Sequence, residues 1–138
     1  MAGTSAVDIE GGRLVYAGIG GSPVLCLKAI RQGKDFVNHY VVPLDPLPAG
    51  PQSLVYLDYE TLLEDCHDRF AFVMGEAKDR SIPEVGDIMV APHGTFLKLQ
   101  EYNRGAFMLA YLDIAGGDLH RHKERNVEGV FGWRVIAR

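Results

Sequence analysis

The sequence predicts a mainly β domain, a small barrel or sandwich of antiparallel meanders with one short helix at about 58–67. Three observations predict it. Glycine and proline recur at short intervals, at Gly11 and Gly12, Gly18 to Pro23, Gly33, Pro43 to Pro51, Pro83 to Gly86, Pro92 to Gly94, Gly105, and Gly116 and Gly117, cutting the chain into hairpin-sized pieces. Between them lie short runs rich in Val, Leu, Ile, Phe and Tyr, which suit a pleated, half-buried surface. A length of 138 residues, 47% hydrophobic and 23% charged, fits a single domain over 1–138 whose core needs neither metal nor disulfide.

In chain order, strands are expected near 13–17, 23–30, 35–42, 53–57, 69–75, 87–91, 95–102, 106–113, 118–123 and 130–137. The helix is expected because Tyr59, Leu62, Leu63 and Cys66 recur at helical spacing behind Asp58, a good N-cap residue, with Glu60, Glu64, Asp65 and Asp68 facing outward. The run 106–113 is apolar on both sides, with Met108, Ala110 and Leu112 on one and Phe107, Leu109 and Tyr111 on the other. Such a strand is expected to be buried twice.

Two stretches, 12–42 and 86–113, align as copies of one strand-turn-strand-turn-strand unit. Gly12, Leu14, Val15, Tyr16 and Ala17 fall on Gly86, Ile88, Met89, Val90 and Ala91, while Leu27 and Lys28 fall on Leu97 and Lys98. Phe36, Tyr40 and Val41 fall on Phe107, Tyr111 and Leu112, so the alignment places its gaps in the turns. A possible internal duplication follows, with a three-stranded meander as its unit.

The formal net charge of −4 argues against a general affinity for nucleic acid or anionic membrane. The exception is local, because residues 120–138 hold five Lys/Arg against two Glu. Cys26 and Cys66 lack the close spacing of a metal knuckle or redox pair and read as free buried thiols. Met1 to Gly20 has no basic start followed by an apolar run, and no stretch is long and apolar enough for a membrane span. A cytoplasmic protein of a bacterium or phage-infected cell is expected.

The middle of the chain holds Pro48, Ala49, Gly50 and Pro51, then Phe72 to Ala77, Ile82 and Pro83, Gly86 to Ala91, Gly94 to Lys98, and finally Glu128 to Arg138. In outline, residues 43–138 resemble the self-cleaving peptidase domain of the LexA/UmuD type. That resemblance implies a scissile Ala49-Gly50 bond and Lys98 as the base, since a lysine held away from water loses its charge and then deprotonates a serine. The position of the nucleophile holds Ala77, which has no hydroxyl, and one Gly-Asp turn serves where the family has two. The resemblance therefore implies a catalytically degenerate serine/lysine autopeptidase relative.

His120 and His122 alternate with Arg121 and Lys123, so on an extended strand both imidazoles and Glu124 share one face. Two such histidines would reach one divalent metal, with an acid or His93 completing the site. The opposite face, Arg121, Lys123 and Arg125, joined by Arg134, Arg138 and Trp133, would meet phosphates and stack a base. Gly18, Gly20 and Gly21 lack a following Gly-Lys-Ser/Thr and read as a hairpin turn. No cofactor is required by these residues and no ligand is named by them. The expectation is a non-catalytic binding or assembly module, more a non-enzyme than an enzyme, and homo-oligomeric because pairing between copies covers exposed strand edges.

Overall fold

The computed structural model describes residues 3–45, 53–121 and 124–138. The described residues form twelve strands: β1 (Thr4–Ser5), β2 (Leu14–Ile19), β3 (Ser22–Gln32), β4 (Val37–Asp45), β5 (Val55–Leu57), β6 (Leu62–Asp65), β7 (Phe70–Ala77), β8 (Ile88–Ala91), β9 (Gly94–Asn103), β10 (Ala106–Asp113), β11 (Leu119–His120) and β12 (Gly129–Ala137). A single 3-10 turn at Ala6–Asp8 is the only helical element among the described residues. No helix there is long and apolar enough to cross a membrane.

Among the described residues the strands make two six-stranded antiparallel sheets, ordered β1-β6-β2-β3-β4-β5 and β7-β12-β8-β9-β10-β11, with no closed barrel. The first sheet comes from the first half of the chain and the second from the second half. Their orders are the same once the second set of labels is counted from its own first strand.

Period-two alternation decides which side chains go where. Leu14, Leu27 and Val42 of the first sheet and Ile88, Leu97 and Leu112 of the second belong to one cluster that fills the space between the sheets. Their strand neighbours point away from it. Val15, Cys26 and Val41 form a second small core on the outer side of the first sheet, beneath Ala6 and Ile9. Met89, Phe96 and Tyr111 do the same on the outer side of the second, packed against Val127.

The backbone bonds repeat between the halves as well. Gly12 N–H donates to the Lys28 carbonyl and Lys28 N–H to Arg13; Gly86 N–H donates to the Lys98 carbonyl and Lys98 N–H to Asp87. Where the sheets meet, Ile30 bridges Asp118 and Gln100 bridges Ser53. The Arg31 guanidinium holds Glu101 through two bonds of 2.7 and 2.9 Å. The ladders pair Lys28 with Val41 and Lys98 with Tyr111, so Val41 rather than Tyr40 occupies the place of Tyr111. Matching the two tyrosines slips the third strand by one residue, and a slip of one exchanges the two faces of a strand.

The helix expected at 58–67 is replaced by a turn and strand β6. Asp58 caps this turn: its carboxylate accepts from Glu60 N–H at 3.0 Å and from the Thr61 hydroxyl at 2.9 Å. Burial then alternates, with Leu63 at 1% exposure beside Leu62 at 62%, so the helical spacing joins residues that share no buried face. Strand β10 is buried on both sides only at Ala110, Tyr111 and Leu112; Phe107 and Leu109 are exposed.

Candidate functional site

The site begins with the β9–β10 hairpin. Arg104 and Gly105, at φ 51° and 80°, make a tight two-residue turn that matches the strand twist. β9 covers one side of β10 along its full length, pairing Ala106 with Asn103 through Asp113 with Phe96. On the other side, among the described residues, β11 pairs Tyr111 with His120 and Leu112 with Leu119. Among the described residues, Ala106–Ala110 has no strand neighbour there. This segment carries no charge. Phe107 (69% exposed) and Leu109 (46%) stand on the outer face, and Phe107 meets Tyr102 edge to face at 5.2 Å.

Beside this edge lies a groove of about 570 Å³ lined by Met108, Leu109, Tyr111, Arg121, Glu124 and Arg125. Its floor is a network of charged hydrogen bonds. The Tyr111 hydroxyl donates to the Glu124 carboxylate, which also pairs with the Lys98 ammonium at 3.0 Å. Lys98 donates in addition to the Pro83 carbonyl at 2.9 Å. Burial, reinforced by Glu124, raises the Tyr111 pKa well above its usual value, so the phenol keeps its proton. One carboxylate oxygen of Glu124 thus takes both donors on the floor, and among the described residues Arg121 and Arg125 are the outward charges of the groove. The Arg121 guanidinium lies 3.8 Å from Met108 Sδ.

Lys98 has a counterpart in the other half. Lys28 is completely buried; its ammonium donates to the Ile9 carbonyl at 3.1 Å and to His39 Nδ1 at 2.8 Å. Ile9 precedes Gly12 by the same interval as Pro83 precedes Gly86. Each lysine therefore ties down the loop that enters its sheet. Burial lowers the Lys28 pKa to about 8, and burial together with the Lys28 charge lowers that of His39.

The residues singled out by the sequence are only partly brought together. Lys98, Arg121 and Arg125 meet around Glu124 and Tyr111, whereas Ala49, Gly50, His122 and Lys123 lie outside the described residues. Ala77 is exposed on β7, in a shallow groove shared with Lys78, Arg80 and Ser81. The rungs run from Ala77 to Phe131, Ile88 and Leu97, which sets Ala77 three strand spacings from the strand of Lys98, roughly 14 Å. His120 packs edge to face on Phe96 at 5.8 Å, and His93 lies on the same ring at 5.1 Å. No group of three potential metal ligands gathers among the described residues.

Arg134 and Arg138 sit on or after β12, three strands from β10, and Arg138 bonds to the His67 and Phe70 carbonyls. Trp133 donates to the Gly86 carbonyl at 2.8 Å and packs on Phe72, which makes it a core anchor.

Two features escaped the sequence. The edge Ala106–Ala110, unpaired among the described residues, was concealed because apolar residues on both faces read as double burial. Lys28 stood out only as the partner of Lys98 in the internal alignment. A larger groove of about 830 Å³ runs beside the β2–β3 turn, but Glu64 is its only charged lining residue, and that carboxylate is paired with Arg69. Compared with known proteins, the chain matches no family model, no curated protein and no solved structure.

Proposed function

We propose that this protein is a non-catalytic binding module that accepts an extended polypeptide as an added strand along β10. The observation that carries this reading is the uncharged edge Ala106–Ala110, unpaired among the described residues and flanked by the exposed Phe107 and Leu109. Unpaired strand edges offer main-chain donors and acceptors to a second chain, and natural edges are usually guarded by charge, proline or a bulge. Ala106–Ala110 itself contains no charge, proline or bulge, and the charge beside it is Arg121, whose guanidinium reaches Met108.

Two features of organisation accompany the proposal. The two halves are copies of one six-stranded unit, a reading supported by the matching strand orders and by the two lysines tied to matching loops. A cytoplasmic setting accords with the free thiols of Cys26 and Cys66.

The test is a titration with a soluble peptide of alternating Val and Ser, followed by amide hydrogen exchange. Binding is expected to slow exchange at alternate residues of Ala106–Ala110, and the double variant Phe107→Lys, Leu109→Lys is expected to abolish it. Unchanged exchange along β10 at saturating peptide would refute strand addition.

A further inference from the structure

We infer that the segment accepted by β10 is acidic as well as apolar, with carboxylates that meet Arg121 and Arg125. This rests on strand addition at β10 and adds the chemistry of the partner.

The geometry sets both halves of that specification. A strand laid beside Ala106–Ala110 continues the pleat, so its alternate side chains stand next to Phe107 and Leu109 on the outer face. Those positions call for apolar residues. The added strand must stop where β11 begins, since His120 already pairs with Tyr111. Arg121 follows directly in the chain and reaches back along the edge to Met108, and Arg125 lines the same groove. The end of the incoming segment is therefore placed beside two exposed guanidinium groups. Glu124, the acid of the groove, is engaged below them by Tyr111 and Lys98. Carboxylates in the partner would supply the missing opposite charge, and arginine matches their geometry well.

The same charges disfavour a second copy as the occupant. Antiparallel pairing of two β10 strands about Met108 would set Ala106 of the second copy opposite Ala110 and carry its Arg104 up against the end of β11, toward Arg121 of the first. Like charges would meet there. A nucleic acid is disfavoured by the small extent of the basic surface and by the acidic whole, at a formal charge of −4.

The experiment uses the full chain and labelled peptides of about six residues, the usual length of one strand, alternating Val with Glu, Val with Ser or Val with Lys. Fluorescence anisotropy is read at low and high salt, with single-stranded oligothymidylate as a further probe and light scattering of the free protein as a control. The Val/Glu peptide is expected to bind about tenfold tighter than Val/Ser at low salt and to lose that margin at high salt. Arg121→Gln with Arg125→Gln is expected to remove the margin, so that within this variant Val/Glu and Val/Ser bind alike.

Equal affinity of Val/Glu and Val/Ser would overturn the acidic specification and leave strand addition standing. Failure of every peptide to bind would overturn both. Arginine-dependent binding of the oligothymidylate without Val/Glu binding would assign the groove to nucleic acid instead. A dimer of the free protein that Leu109→Lys dissolves would assign the edge to a second copy.

Discussion

Lys28 and His39 couple the stability of the protein to pH in a direction that follows from their surroundings. The Lys28 ammonium donates to His39 Nδ1, so that nitrogen is bare and the neutral ring carries its proton on Nε2. The folded-state pKa of Lys28 is lowered by burial from 10.5 to about 8. Between those values the unfolded chain holds a proton that the folded chain releases, so stability rises with pH, by up to about 1.4 kcal/mol per unit. The His39 pKa is lowered by burial and then by Lys28, so as pH falls through and below 6.5 the unfolded histidine takes up a proton that the folded one resists. Stability therefore falls on the acid side. Tyr111 acts in the opposite sense above its ordinary value of 10, where the unfolded phenol ionises and the buried one does not. Urea midpoints measured from pH 5 to pH 10 are expected to climb at both ends, with Lys28→Met flattening the alkaline climb and His39→Gln the acid one. An alkaline climb that survives in Lys28→Met would disprove its assignment to this ammonium. None of this was legible in the sequence, where Lys28 is one cation in an apolar run and His39 is isolated. Their meeting depends on the β3–β4 register and on the loop that carries Ile9.

At the scale of elements, the turns do as much as the strands to hold the sheets together. The turn between β10 and β11 presses against the loop before β2: a Cβ on Gly117 would lie 2.2 Å from the Gly12 nitrogen and 2.4 Å from Gly11, and φ at Gly117 is 74°. Both the conformation and the backbone contact require glycine there. Ile30 N–H also donates to the Gly117 carbonyl at 2.8 Å, so this contact joins the first sheet to the second. Gly117→Ala is expected to cost about 3 kcal/mol or more, measured by thermal or urea unfolding, because backbone cannot move aside as a side-chain tip does. Gly21→Ala, with φ 83° but open space around it, is expected to cost only about 1 kcal/mol. Strands were the legible elements: glycine, proline and alternation mark β2 to β5 and β7 to β12 within a few residues. β6 was misread as a helix because Asp58 begins turns as readily as helices. β1, only Thr4–Ser5, is too short to leave a pattern. Of the site, Lys98, Arg121 and Arg125 were visible as chemistry. The β10 edge, unpaired among the described residues, was not, since it depends on which part of the chain comes to lie beside it.

Across the whole molecule, the two sheets relate to each other through Arg31 and Glu101. These stand at matching places, each at the same interval beyond its buried lysine, Lys28 or Lys98, and they meet through two hydrogen bonds where the sheets join. Arg31 also lies over the Tyr40 ring at 5.3 Å, which fixes its orientation. A double-mutant cycle of Arg31→Met and Glu101→Gln is expected to give a coupling of about 2 kcal/mol, with the exchanged pair Arg31→Glu, Glu101→Arg recovering part of the loss. Additive single effects would mean that the pair contributes nothing to holding the sheets. The sequence did show that the halves are alike in pattern, but not that their strands form separate sheets facing each other. That separation depends on pairing over long sequence distances, which local patterning leaves open.

The Arg31–Glu101 contact also bears on which sheets can face each other. Were either sheet to face a second copy of itself in the geometry it has here, Arg31 would meet Arg31, or Glu101 would meet Glu101. Only a first half and a second half bring opposite charges to that point.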